Sequence, residues 1–191
     1  MAYDPRAICN LILDEARRTS ITHVALQKLL YFAHGLHLIR TEGNPLVKGY
    51  FEAWRHGPVH PTAYKAFKQA GADVIDFRAV SRDPLTQETR ALLPNIDDLA
   101  YDCVVRTVAN FGSAGAWTLV QISHAEGAPW KLVVDSAENS VNFGMRISND
   151  VIRENFNKHK VSIKTNPGAG EPSEEAPLDF ADRSSSDRAA R

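Results

Sequence analysis

Two closely spaced pairs of histidines are the part of this sequence best suited to metal or acid–base chemistry. His34 and His37 lie three residues apart in a segment with helical periodicity, and His56 and His60 lie four apart across a turn. Zinc sites draw on tighter arrays of Cys, His and carboxylate ligands, and a turn that contains Pro58 does not align His56 with His60 as a helix would. The pattern therefore favours histidines that pack or cap, and we expect no metal site.

A nucleophile and a base stand side by side at Ser123 and His124. Adjacent residues of a helix do not face each other, so the spacing does not favour a nucleophile–base contact. The sequence has no nucleophile elbow, glycine-rich phosphate loop, zincin pattern or paired-cysteine motif. We therefore expect no catalytic residue and no cofactor. A hydrolase or metal enzyme that uses His56, His60 and His124 is the alternative from a different class of function.

The segment around Trp54 contains residue types that dominate binding hot spots in protein interfaces. In one interpretation, Phe51 and Trp54 pack inward from a short strand while prolines fix a tight turn. In the other, the rigid turn displays its side chains to a protein partner. The candidates for partner binding in this region are Trp54, Arg55, His56 and Tyr64.

The elements that position these residues are mainly helical. Asp4 and Pro5 are typical of a helix N-cap and of the first helical position. A second helix begins near Thr22 and ends at Gly43. Gly35 lies inside this helix at a cost of about 1 kcal/mol relative to Ala, which indicates close approach by another element.

Short extended segments follow the second helix. Residues 47–54 predict a strand that leads into a proline turn, and Pro61 begins a further helix. Residues 73–80 alternate and predict a second strand, so a small antiparallel element results. Residues 81–94 are polar and weakly periodic, with room for a short helix, and more helices follow, the last capped by Ser148. The predicted fold is a compact, mainly α-helical α+β domain.

The composition changes abruptly beyond Thr165. The residues that follow are rich in Pro, Gly, Ser, Ala and charge, and cannot bury enough apolar area to offset the chain entropy. We therefore predict one domain over residues 1–160 and a disordered tail over residues 161–191. Two apolar tail residues, Leu178 and Phe180, are candidates for a short docking motif, and an inert, solvated tail is the alternative.

Bulk composition restricts the classes of function. The 191 residues, 43% of them hydrophobic, suffice for one core and not for two full-sized domains. A formal charge of -1, from 22 Lys and Arg against 23 Asp and Glu, gives no overall attraction to nucleic acid or to an anionic membrane. The N-terminus does not look like a secretion signal, and no apolar stretch approaches the roughly 18 residues that span a bilayer. We expect a cytoplasmic protein without membrane or nucleic-acid partners.

Four segments of the sequence resemble the Panacea antitoxin domain family. They are LQKLLYFAHGLHL at 26–38, NPLVKGYFEAWRHGPVHPTAYKAF at 44–67, SHAEGAPW at 123–130 and ISNDVIRENF at 147–156. Together they cover the chain up to about residue 158, in the order and spacing of the family. The resemblance is strongest to the members that act as proteolytic adaptors. It implies a compact, mainly helical domain that neutralises a bacterial toxin.

The resemblance also implies the partners of this domain. They are a cognate toxin protein and ClpX, the unfoldase of the ClpXP protease, to which such an antitoxin delivers the toxin for degradation. Stoichiometric masking of the toxin without proteolysis is the alternative within the same family. Many members carry an additional DNA-binding domain, whereas this chain has no basic helix-turn-helix segment, which weighs against regulation through DNA. The residues of the four segments can determine the fold of the domain, in which case the toxin is bound by other residues.

Overall fold

A computed structural model describes residues 1–17, 19–137 and 145–159. The helices in these ranges are α1 (Pro5–Glu15), α2 (His23–Arg40), α3 (Pro61–Phe67), α4 (Asp98–Phe111), α5 (Ala116–Ser123), α6 (Pro129–Ala137) and α7 (Asn149–Asn155). The strands are β1 (Phe51–Trp54), β2 (Gly57–Val59), β3 (Val80–Arg82), β4 (Thr89–Ala91) and β5 (Arg146–Ile147). The predicted mainly α-helical α+β fold with a small antiparallel sheet is confirmed. The predicted tail, with Leu178 and Phe180, lies outside the described residues.

Helix α2 forms the centre of the domain. Its residues from His23 to Leu38 are buried except for the half-buried Leu36, because α1, α4, α5 and α7 pack around it. A helix that is buried on all sides is apolar around its whole circumference, as α2 largely is. None of the helices in the described ranges is long and apolar enough to cross a membrane.

Local capping fixes where the first helices begin. The Asp4 carboxylate accepts a hydrogen bond from the Arg6 N–H at 2.9 Å, and Pro5 occupies the first turn of α1. The Thr22 hydroxyl accepts from the Ala25 N–H at the start of α2. Both predicted helix starts are confirmed, because a cap depends only on neighbouring residues.

Gly35 provides the notch into which the C-terminal end of the domain packs. A Cβ placed on Gly35 would lie 2.0 Å from the ring of Phe156, so no larger residue fits while that ring stays in place. The neighbouring His34 Nε2 donates a hydrogen bond to Asn149 Oδ1 at 3.0 Å. The predicted close approach at Gly35 is confirmed, and its partner is the segment that contains α7.

The larger sheet has the strand order β2-β1-β5, and all its pairings are antiparallel. The chain reverses direction between β1 and β2 at Arg55 and His56, so that Trp54 pairs with Gly57. Gly57 has φ +100, a left-handed conformation that favours glycine. The predicted strand over residues 47–54 is therefore reduced to its last four residues, and β2 lies within the predicted turn.

The prediction of a strand over residues 73–80 is wrong for most of its length. Only Val74 makes an isolated antiparallel bridge, with Thr22, and Val80 begins β3. The intervening Ile75 N–H donates to the Ile21 carbonyl, so this backbone is bound by the loop before α2 and not by a strand. Residues 81–94 contain the end of β3, a turn and β4, so the short helix that their sequence allowed does not form there.

Candidate partner-binding surface

Trp54 is held at the end of β1 by three contacts. Its ring packs on Tyr64 with centroids 4.7 Å apart, and its Nε1 donates to Glu52 Oε2 at 2.8 Å. Its carbonyl accepts a hydrogen bond of 2.8 Å from Trp130 Nε1. The side chain is only 7% exposed, so most of its surface is packed against the domain itself.

The residues that follow Trp54 are more accessible. Arg55 is exposed and His56 is half-buried in the turn between β1 and β2. Burial, followed by the charges of Arg55 and Lys28, lowers the pKa of His56. Tyr64 is half-buried on α3, with its ring against Trp54. The structure thus places four of the sequence-predicted candidates at one end of the sheet, and their role in binding stays a prediction.

A buried lysine supports this turn from below. Lys28, on α2, has no exposed surface, and its Nζ donates to the Pro58 carbonyl at 3.1 Å. A Cβ placed on Gly57 would lie 2.4 Å from Ser123 Oγ and 3.2 Å from Lys28 Nζ, so only glycine leaves room for both groups. Sequence reasoning missed Lys28, although its position within the apolar run of α2 is the signal that it is buried.

Ser123 and His124 do not form a nucleophile and base pair. The buried Ser123 hydroxyl donates to the Val120 carbonyl at 2.8 Å. The His124 ring stacks on Trp130 at 3.7 Å, and its Nε2 is buried without a hydrogen-bond partner in the described part of the chain. Burial first, then the charges of Lys28, His56 and Lys131, lowers the pKa of His124 to about 3. His124 is therefore neutral near pH 7 and packs as an aromatic ring.

Three further histidines, His34, His37 and His60, bind backbone groups. His60 Nε2 donates to the Lys48 carbonyl at 2.8 Å, and His37 Nδ1 donates to the Asn44 carbonyl at 2.9 Å. His34 Nδ1 accepts from the Val47 N–H at 3.4 Å. Within residues 1–17, 19–137 and 145–159, no three His, Cys, Asp or Glu side chains are grouped so that they could hold a metal ion.

A second surface element, which sequence reasoning missed, is the hairpin formed by β3 and β4. We name residues 80–91 the hairpin arm. In the described part of the chain its two strands pair only with each other, from Val80 opposite Ala91 to Arg82 opposite Thr89. Every residue of the arm is exposed, and Leu85 near its tip is 92% exposed. Asp83 followed by Pro84 is a turn signal that predicts the reversal of the chain.

A cleft of about 410 Å³ lies between the C-terminal ends of α1 and α4. Its two carboxylates already have partners. Asp14 binds Arg78 at 2.9 Å, and Glu15 accepts from the Tyr101 hydroxyl at 2.9 Å. Both carboxylates thus hold neighbouring elements of the fold, Asp14 through an ion pair and Glu15 through a tyrosine hydroxyl.

The fold and its surface define a class of protein, a small mainly helical domain that presents a turn and a projecting hairpin. Residues 26–131 match the family model for the SocA-like antitoxin with the Panacea domain. The chain is 41% identical over 176 residues to the antitoxin SocA of Caulobacter vibrioides (strain NA1000 / CB15N), which covers 91% of this chain and 93% of that protein. The chain therefore belongs to the SocA-like, Panacea-domain antitoxin family. No solved structure matches it.

Proposed function

We propose that this protein is an antitoxin that binds one cognate toxin and delivers it to ClpX for degradation by ClpXP. The observation that carries the proposal is the 41% identity to antitoxin SocA, which extends over 91% of the chain. A match of this length includes the helical core and the surface built on it. The role of a toxin-binding protein therefore fits the whole domain and not only a short motif within it.

An adaptor needs two contacts of different strength. It must bind the toxin stably through a folded surface, and it must bind the unfoldase weakly enough to be released. Tethering raises the local concentration of the toxin to roughly millimolar even when each contact is weak. The folded domain is assigned the first contact, and the tail residues Leu178 and Phe180 are assigned the second.

The lifetime of the toxin distinguishes delivery from masking. The toxin would be expressed with and without this protein, in cells that contain ClpX and in cells that lack it, and its half-life measured after synthesis is stopped. Delivery predicts a half-life shortened several-fold only where both this protein and ClpX are present. Protection of growth with an unchanged half-life would instead support stoichiometric masking. Cells that lack a different protease serve as the control.

The tail is tested separately from the domain. Deletion of residues 166–191 is expected to leave toxin binding intact and to slow toxin degradation. A finer variant replaces Leu178 and Phe180 with serine, and its matched control replaces Ser184 and Ser185 with alanine. Degradation that is equally fast in the deletion and in the intact chain would show that the tail is inert.

The turn after Trp54 is proposed as part of the toxin contact because its side chains are accessible. Arg55→Glu together with His56→Ala is expected to weaken toxin binding without unfolding the domain. The matched control is Lys68→Glu, which reverses the charge of another exposed residue. Equal toxin affinity of the turn variant and the control, measured by calorimetry, would remove the turn from the contact.

A further inference from the structure

Two adjacent side chains of α2 hold the backbone that leads away from the turn between β1 and β2. Lys28 Nζ donates to the Pro58 carbonyl at 3.1 Å. Gln27 Oε1 accepts from the His60 N–H at 2.9 Å. Both side chains are fully buried, so these contacts lie beneath the surface that the turn presents. The central helix of the domain therefore fixes the position of β2.

The charge of Lys28 is not explained by the packing of α2. The residues of this helix from His23 to Leu38 are buried almost without exception, and Lys28 itself has no exposed surface. Burying an ammonium group costs stability even where hydrogen bonds and other charges compensate for part of the cost. An apolar side chain of the same length would fill this position without that cost. The charge must therefore serve something other than the core.

The turn lies directly against this ammonium group. A Cβ placed on Gly57 would lie 3.0 Å from Lys28 Cε and 3.2 Å from Lys28 Nζ, so the absence of a side chain allows the close approach. Gly57 follows the exposed Arg55 and the half-buried His56 in the chain. A displacement of the lysine would therefore be transmitted through Gly57 to the two accessible residues of the turn.

The charge of Lys28 also acts on two histidines. Burial, followed by the charges of Arg55 and Lys28, lowers the pKa of His56. Burial, followed by the charges of Lys28, His56 and Lys131, lowers the pKa of His124 to about 3. A neutral imidazole costs less to bury in an interface than an imidazolium does. Lys28 thus favours the form of His56 that a protein partner can cover at the lower cost.

We infer that Lys28 is a positioning residue for toxin binding, which holds the turn at residues 54–58 through its hydrogen bond and its charge. This inference rests on the proposed function, which supplies the toxin as the partner of the turn. Lys28 has no exposed surface, so it acts through the turn and not by contact with the toxin. Fixing a loop before association reduces the entropy that binding costs.

The first test measures toxin binding by chains that differ at one lysine. The probe is the protein encoded by the reading frame next to that of this chain, first checked for growth arrest that the wild-type chain relieves. Lys28→Met removes the charge and the donor but keeps the length of the side chain, and is expected to raise the Kd about tenfold. Lys68→Met makes the same exchange at an exposed lysine and should leave the Kd within about twofold.

A second measurement separates the effect of the charge from a general loosening of the turn. The pKa of His56 is followed by NMR in the wild type and in both variants of the adjacent residues of α2. Gln27→Met removes a contact to the backbone without removing a charge, so loosening alone should affect Gln27→Met and Lys28→Met alike. The pKa of His56 should rise further in Lys28→Met, because one of the positive charges that lower it is gone.

Thermal unfolding shows which variants are folded, and each outcome decides the inference. A folded Lys28→Met chain with the wild-type Kd overturns it and leaves the proposed function standing. An equal pKa of His56 in Lys28→Met and Gln27→Met also overturns it. Lys28→Gln, which keeps a donor, replaces Lys28→Met if that chain does not fold, and unfolding of both would make Lys28 a purely structural residue. Absence of toxin binding by the wild-type chain overturns the proposed function together with the inference.

Discussion

Helix α2 and the hairpin arm differ most in their exposure to solvent. Residues His23 to Leu38 of α2 are buried almost without exception, whereas every residue of the arm is exposed. The four quoted sequence segments include most of α2 and none of the arm, although the family match over residues 26–131 spans both. The comparison teaches that the apolar pattern of α2 reflects its packing, whereas the arm is held by side-chain hydrogen bonds at its base and at its tip.

The largest expected effect is the loss of the ring of Trp54, which lies in a signature segment. Trp54→Ala removes a side chain that is 7% exposed and packs on Tyr64. We expect the free energy of unfolding, measured by urea denaturation, to fall by about 3–5 kcal/mol. Arg55→Ala is the adjacent exposed control, with a change within about 0.5 kcal/mol. A stable Trp54→Ala chain that no longer binds toxin would place Trp54 in the interface and weaken the comparison.

The anchor of the arm ranks second. Asn10→Ala removes the partner of the Ala79 N–H and of the Leu92 carbonyl, while the Ala79 carbonyl keeps the Leu92 N–H, and we expect a loss of about 2–3 kcal/mol. Amide hydrogen exchange in the arm should accelerate more than exchange in α2. Asn110→Ala is the matched control, because the Asn110 side chain donates to the Arg106 carbonyl at an exposed site. Equal exchange in the arm of both variants would show that Asn10 does not order it.

A pH effect of intermediate size is expected from the buried histidines around α2. Burial lowers the pKa of His34 from 6.5 to about 4, against the opposing effect of its hydrogen bond to Asn149. Between these values the unfolded chain binds more protons than the folded one, so stability is complete above about pH 6.5 and is lost as the pH falls towards 4. At pH 5 the loss from this one group is about 2 kcal/mol.

Urea denaturation at pH 7 and pH 5 measures this effect. His34→Gln keeps a donor for Asn149 but does not titrate, so its stability should fall by about 2 kcal/mol less over the same interval. His23, His124 and His159 also have lowered pKa values and should preserve part of the dependence in this variant. An identical pH dependence in the wild type and in His34→Gln would contradict the assignment.

The smallest effect on stability is expected at the tip of the arm. Leu85→Ser should change the free energy of unfolding by less than about 0.5 kcal/mol, because the side chain buries nothing in the free protein. Leu30→Ser, in the middle of α2, is the contrasting variant and should lose several kcal/mol, as expected for a fully buried leucine. Similar losses in the two chains would remove the distinction between the regions.

Sequence patterns predicted the features that depend on near neighbours. The caps at Asp4, Thr22 and Ser148 are confirmed because each is a hydrogen bond to an N–H two or three residues away. The hairpin arm was not predictable in this way. Its strands are exposed on both faces, so they lack apolar alternation, and its base is held by Asn10, which is 69 residues away from Ala79.

The same reasoning explains what could be predicted of the candidate surface. An aromatic strand followed by a proline-containing turn was recognisable around Trp54, because strand and turn residues have strong local preferences. The contacts beneath this turn could not be recognised from the sequence. Lys28 and Ser123 belong to helices that are far apart in the sequence, and both lie next to Gly57 in the fold. Lysine is rarely buried, so its residue type alone predicts that Lys28 is exposed.

The notch at Gly35 has a consequence for the order of events on the ribosome. Helix α2 is synthesised early, but Phe156 fills the notch and Asn149 reaches His34, 115 residues further along the chain. Contacts between such distant residues form late in folding. During translation one side of α2 therefore stays uncovered until the end of the domain has emerged, and a prematurely terminated chain would expose an apolar helix to chaperones and proteases.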